Sequence, residues 1–118
     1  MDYPLGRDAV GLLIYTDDGH MSVSIARSSR RPFAAGDILG GTGDEKARAA
    51  ESYISYCGRY EFRDQSVVHH VEMSLFPNWT GRDQERRVEL AGDRLTLEAP
   101  PFIVKGTEQR AGLVWERL

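Results

Sequence analysis

The chain has 118 residues and a single cysteine, Cys57, so it can form no internal disulfide. A reducing, cytoplasmic setting is the expected one. Long apolar runs are also lacking. Stretches such as Val10 to Tyr15 fall far short of the roughly 20 residues of a membrane-spanning helix. Residues 1–7 carry no apolar run behind a basic cluster, and so do not read as a secretory signal. The formal net charge is -3, which gives no general attraction to nucleic acid or to an anionic membrane, and neither is expected as a partner. There is no phosphate-binding glycine loop of either common type and no Gly-x-Ser-x-Gly elbow. Cys57 has no base fixed beside it, so nucleophilic catalysis is not expected. Metal ligands are few. His70 and Glu72 stand two apart on a strand, and besides His69, on the opposite face, His20 is the other histidine, short of the three or four ligands of a zinc site. No metal and no cofactor are expected.

What is present is an ordinary globular balance, 41% hydrophobic and 28% charged, in one domain spanning residues 1–118 with no repeat and no linker. The least patterned stretch, Arg27 to Gly43, reads as a surface loop, and the cluster Arg27, Arg30, Arg31 within it as a solvated one. Gly11 to Thr16 is rich in strand formers. Asp17-Asp18-Gly19 signals a hairpin, and His20 to Ala26 alternates apolar with polar. A two-residue turn at Asp18-Gly19 would pair Thr16 with Met21, Ile14 with Val23 and Leu12 with Ile25, all on one face. One helix is predicted from a capping box at Thr42 and Glu45, through Ala47, Ala50, Ile54 and Cys57, to Gly58 just past its end. Its narrow stripe of small residues reads as a lid or plug on a barrel.

From Arg59 the period returns to two. A turn near Asp64-Gln65 sets Phe62 opposite Val67 and Tyr60 opposite His69. Val71, Met73 and Leu75 continue the same face, with His70 and Glu72 on the other. Pro77 to Gly81 is a loop. Gln84, Arg86, Val88 and Leu90 alternate next, and a Gly92-Asp93 turn pairs Leu90 with Leu95 and Val88 with Leu97. Pro100-Pro101 ends that strand, Phe102 to Val104 is a short one, and Ala111 to Leu118 closes the chain with Leu113, Trp115 and Arg117 on one face. The reading is all-β: an antiparallel up-and-down barrel of about eight strands, with the helix inserted between the second and third. Closure buries the apolar face and removes exposed edges. A two-sheet sandwich is the rival, less favoured by the hairpin-after-hairpin order.

These segments carry a family likeness. Residues 11–23, Tyr53-Ile54-Ser55-Tyr56-Cys57-Gly58-Arg59-Tyr60, Val68-His69-His70-Val71-Glu72, Phe76-Pro77-Asn78-Trp79 and Leu113-Val114-Trp115-Glu116-Arg117 together resemble the bacterial and fungal lipocalin-like domain family. The resemblance implies a calycin-type barrel that binds a small hydrophobic ligand. It also implies a link to secondary metabolism, where similar barrels act as cyclases or isomerases. Such domains usually begin with a strand bearing a Gly-Thr-Trp motif, ahead of a Tyr-Pro-Leu-Gly segment. Here the chain starts at that second segment, 2–6. An open sheet edge and a homodimer across it are therefore expected.

The inward face holds the polar candidates. His69 is the candidate acid or base, since its ordinary pKa lies near neutrality, with Tyr60 opposite to orient it. The alternative is a core histidine satisfied by hydrogen bonding. Arg86 beside Gln84 is a candidate anchor for an anionic or polar ligand group, because a guanidinium fork matches a carboxylate. Arg117 is a second such group unless it reaches water at the barrel mouth. Thr16, Phe62, Val71, Met73 and Trp115 are candidate ligand-lining residues. Tyr53 and Tyr56 on the helix, with Trp79 in the loop, are candidates for the entrance. Two functions fit: binding of a small lipophilic or aromatic molecule with a polar or anionic group, or isomerase or cyclase chemistry on a polyketide-like intermediate.

Overall fold

The computed structural model describes residues 8–99, 102–109 and 112–118. Nine strands and one helix follow in the order β1 (Val10–Tyr15), β2 (His20–Ala26), α1 (Gly43–Glu51), β3 (Tyr53–Arg63), β4 (Ser66–Ser74), β5 (Asp83–Ala91), β6 (Arg94–Glu98), β7 (Phe102–Val104), β8 (Thr107–Gln109) and β9 (Gly112–Glu116). Seven of them form one antiparallel sheet in the order β1-β2-β3-β4-β5-β6-β9, curled into a nearly closed up-and-down barrel. The expected fold class therefore holds. The excess over eight strands lies in the β7–β8 hairpin, which among the described residues pairs only with itself. No ladder joins β1 to β9 among the described residues, but the Trp115 ring reaches across to Gly11. The strand break at Pro100-Pro101 and the segment 2–7 lie outside the described residues. Among those described, no helix is long and apolar enough to cross a membrane.

The core is the inward face of β2 with its neighbours. Met21, Val23, Ile25, Tyr56 and Val71 are buried, and Leu13, Tyr15, Ile54, Tyr60, Trp79 and Trp115 pack against them. Burying each such side chain contributes about 1.5–3 kcal/mol. Along β3–β4 and β5–β6 the registers are as expected: Phe62 faces Val67, Tyr60 faces His69, Val88 faces Leu97 and Leu90 faces Leu95.

The first hairpin differs from expectation by one residue. Its loop is three residues long, Asp17 to Gly19. Thr16 N–H donates to the His20 carbonyl at 2.8 Å, and Gly19 takes a positive φ of 90°, the left-handed bulge position of a three-residue hairpin. Tyr15 thus faces Met21, Leu13 faces Val23 and Gly11 faces Ile25. Leu13 and Tyr15 point inward, while Leu12 and Ile14, expected inside, are exposed. A one-residue slip changes the face of every side chain.

The helix is also shorter than expected. The Thr42–Glu45 capping box is present, but α1 ends at Glu51. The segment expected to continue it, including Tyr53, Tyr56 and Cys57, is β3. Nor is α1 a plug, for none of its side chains is buried. Arg30 ties its C-terminal end down by donating to the Ala49 carbonyl and to Ser52. Gly58, expected past the end of the helix, instead lies where β3 crosses β4 most closely. A Cβ there would sit 1.9 Å from the His70 carbonyl oxygen. At that point β4 bulges: Gly58 pairs with Val71 but Cys57 with Met73, which leaves Glu72 as the extra residue. Past the bulge the alternation inverts, so Met73, expected inside, is 67% exposed, and Leu75 is exposed too.

Candidate functional site

Antiparallel alternation brings the C-terminal ends of β1, β3, β5 and β9 to one end of the barrel. Tyr15, Phe62 and Leu90 lie toward that end, Phe62 and Leu90 with exposed side chains. Tyr15, Tyr60 and Phe62 form an aromatic wall with ring centroids 4.7 to 5.9 Å apart, within the range in which edge-to-face contacts stabilise. At the opposite end a short 3-10 turn, Pro77–Trp79, lays Trp79 edge-on against Tyr56 at 5.9 Å. An open groove of about 660 Å³ beside it is lined by Phe76, Asn78, Trp79, Arg82, Asp83 and Gln84.

Between the two ends lies a polar cluster in an apolar surround. His69 is 1% exposed, and a hydroxyl meets each of its ring nitrogens: Tyr15 at Nε2, 2.7 Å, and Tyr56 at Nδ1, 2.6 Å. Burial, with help from the Arg86 and His70 charges, pushes its pKa down to about 4, so the imidazole is neutral at neutral pH. Burial raises the phenol pKa values of Tyr15 and Tyr56 as well. Arg86, beside Val67 in the register, opposes both shifts through its charge. The guanidinium donates to Gln84 Oε1 and to the Glu85 carbonyl, each at 3.0 Å. Among the described residues no carboxylate pairs with it. Trp115 Nε1 is buried with no hydrogen-bond partner, an unmet donor in the barrel.

The structure thus brings His69, Gln84, Arg86, Val71, Trp115 and Tyr60 to the inward face as expected, with Phe62 exposed near the C-terminal end of β3. Tyr60 faces His69 but does not bond it; its hydroxyl donates to the Thr16 carbonyl at 2.7 Å. The histidine's partners are Tyr15 and Tyr56. Tyr15 escapes a sequence reading because the turn length sets its face. Tyr56 escapes because the helical spacing of Ala47, Ala50, Ile54 and Cys57 claims its segment, although the run of strand formers Tyr53-Ile54-Ser55-Tyr56 is a usable signal. Tyr53 points outward, with the Arg30 guanidinium 5.0 Å above its ring. Thr16 lies at the turn, exposed and bonded to Asp18. Arg117 is exposed beyond the end of β9, its N–H donating to the Asp93 carbonyl.

Outside the barrel His70 has the opposite surroundings. Asp83 meets Nδ1 at 2.7 Å and Glu61 meets Nε2 at 3.0 Å. These two carboxylates hold its pKa above the usual value.

The comparisons with known proteins agree with this architecture. The chain matches the lipocalin-like domain family over residues 1–118. It is 37% identical over 107 residues to the 4'-hydroxy-3'-methoxypropiophenone carrier protein ppsC of Aspergillus oryzae (strain ATCC 42149 / RIB 40), a match covering 83% of this chain and 96% of that protein. No solved structure matches. The chain belongs to the lipocalin-like domain family.

Proposed function

We propose that the protein is a carrier that holds a small aromatic molecule bearing a hydroxyl or other acidic group, in secondary metabolism. The observation that carries this reading is the Arg86 guanidinium on the inward face with no carboxylate partner among the described residues, next to a buried hydroxyl–imidazole cluster and an aromatic wall. An uncompensated cation in such a place is costly unless an anion or a strong acceptor meets it. A flat ligand would lie on Tyr15, Tyr60 and Phe62, with its polar group toward Arg86 and Gln84. The name of the related carrier supports the class, since a hydroxylated aryl ketone combines those features.

Binding is favoured over isomerase or cyclase chemistry by the occupancy of both His69 ring nitrogens. A histidine so engaged has no free position for a substrate proton, and Tyr60 does not supply one through it. The absence of a ladder on the outer sides of β1 and β9 among the described residues supports a homodimer. Sedimentation should then give twice the 13.3 kDa chain mass, and a monomer at micromolar concentration would end that part of the proposal.

The test of the carrier reading is titration calorimetry with 4'-hydroxy-3'-methoxypropiophenone and its 4'-O-methyl ether. Arg86→Met should weaken binding of the phenol by about 1.5–3 kcal/mol, the scale of a hydrogen bond to a charged group. Equal affinity of the wild type for phenol and ether would overturn the role given to Arg86, and binding of neither would overturn the reading.

A further inference from the structure

The neighbouring hairpins turn tightly at Asp64-Gln65 and Gly92-Asp93, but β4 reaches β5 through residues 75–82. This longer connection is pinned by its own backbone. The N–H groups of Trp79, Thr80 and Arg82 donate to the carbonyls of Phe76, Pro77 and Trp79 at 3.1, 3.2 and 3.0 Å. Two further bonds close it onto β4: Gly81 N–H donates to the Val71 carbonyl at 2.8 Å, and Val71 N–H donates to the Arg82 carbonyl at 3.0 Å. The connection walls the groove of about 660 Å³, a volume within the range of small-molecule sites.

The walls of that groove combine two chemistries. One is aromatic. Phe76 stands edge-on to Trp79 with ring centroids 5.4 Å apart, and Trp79 is braced in turn against Tyr56. Phe76 nevertheless stays 48% exposed. A ring held in place at the surface in this way is a stacking surface for a flat molecule. The other is cationic. Arg82 lines the same groove, and its guanidinium has no ion pair or side-chain hydrogen bond among the described residues. The acid beside it, Asp83, is already committed to His70 Nδ1 at 2.7 Å.

We propose that this groove is a second ligand site, for a small planar aromatic carboxylate whose ring lies against Phe76 and Trp79 and whose carboxylate meets Arg82. A guanidinium fork takes a carboxylate through two parallel hydrogen bonds. A connection already fixed by backbone bonds has little ordering to lose when the molecule arrives. The site goes beyond the carrier reading and does not depend on it, because Tyr15, His69 and Arg86 are not among its walls.

The chain's two tryptophans separate the sites: Trp79 reports the groove and Trp115 the barrel interior. Proton–nitrogen correlation spectra of the full chain show one indole N–H signal for each, and Trp79→Phe assigns them. Titration with 2-naphthoate at neutral pH, up to millimolar concentration, should move the Trp79 signal and leave Trp115 in place. 2-Naphthylmethanol, which has the same rings and no charge, should bind more weakly. Arg82→Met should weaken 2-naphthoate about fivefold, the upper end for an exposed ion pair, and bring the acid and the alcohol to similar affinity. Phe76→Ala should weaken both probes. A Trp79 signal that does not move, or a Trp115 signal that moves at lower 2-naphthoate concentration than Trp79, overturns the groove site. So does equal affinity of the wild type for acid and alcohol, or unchanged 2-naphthoate affinity in Arg82→Met or in Phe76→Ala. Titration with 4'-hydroxy-3'-methoxypropiophenone in the same spectra reads the barrel separately: a still Trp115 signal there, beside a Trp79 signal moved by 2-naphthoate, counts against the carrier reading alone.

Discussion

His69 and His70 are neighbours on β4, yet the barrel wall puts them in opposite chemical worlds. The inner one is held by two phenols among apolar side chains and kept neutral. The outer one is held by two carboxylates at the surface, which raise its pKa. Two identical side chains differ here only in which way a strand's pleat turns them. The lesson is that a polar residue's role follows from what its face of the sheet presents to it, and this contrast makes definite predictions.

The largest effect should come from truncation. His69→Ala removes the partner of two buried hydroxyls and leaves a cavity, at a cost of about 3–5 kcal/mol. His70→Ala breaks only exposed ion pairs, worth less than about 1 kcal/mol. Denaturant unfolding of the two variants checks this, and equal losses would break the contrast.

The next effect is in pH. His69 has a folded pKa pushed down to about 4 against an ordinary value near 6.5. Between those values the unfolded chain binds the proton and the folded one does not. Stability from this site is therefore full above about pH 6.5 and declines by about 3 kcal/mol as pH falls toward 4. His70 runs the other way: its folded pKa is raised, so its contribution is complete below its unfolded value and is lost as pH rises through the folded one. Proton NMR of the two rings should show His70 titrating above the ordinary range and His69 well below it. Coincident titrations would refute the assignment of inner and outer positions.

The smallest effect tests the same contrast on β1. Leu13→Ala should cost about 1–2 kcal/mol and Leu12→Ala should stay within about 0.5 kcal/mol. Reversed values would restore the register that a two-residue turn predicts.

Much of the architecture was legible from the chain. Alternation from Val67 to Val71 and from Gln84 to Val88 places His69, Gln84 and Arg86 inside, because those stretches contain no bulge. The errors cluster where one residue is added to the regular count. A third loop residue at Asp17 to Gly19 turned Tyr15 inward and Ile14 outward, and the extra Glu72 turned Met73 outward. Neither insertion leaves a hydrophobic signature, since each is defined by backbone hydrogen bonding rather than by side-chain type. Tyr56 was missed for another reason. Ala47, Ala50, Ile54 and Cys57 satisfy a helical spacing, while Ile54 and Tyr56 satisfy a period of two, and tertiary pairing with Val23 and Ile25 decided between them. The site's two phenols thus both lay at positions where local pattern and global register disagree.

The three-residue loop of the first hairpin has a consequence for how such a site can be lost. It works as a reading frame for β1: the number of residues in it, not their identity alone, decides which half of the strand is presented to the interior. Deleting one would carry Ile14 into the barrel and swing the Tyr15 hydroxyl out to water, with every binding residue still spelled correctly in the chain. A barrel built on this frame can lose its inner site through a single-codon deletion at an exposed turn, at the opposite end of the molecule from Trp79 and without touching its core composition.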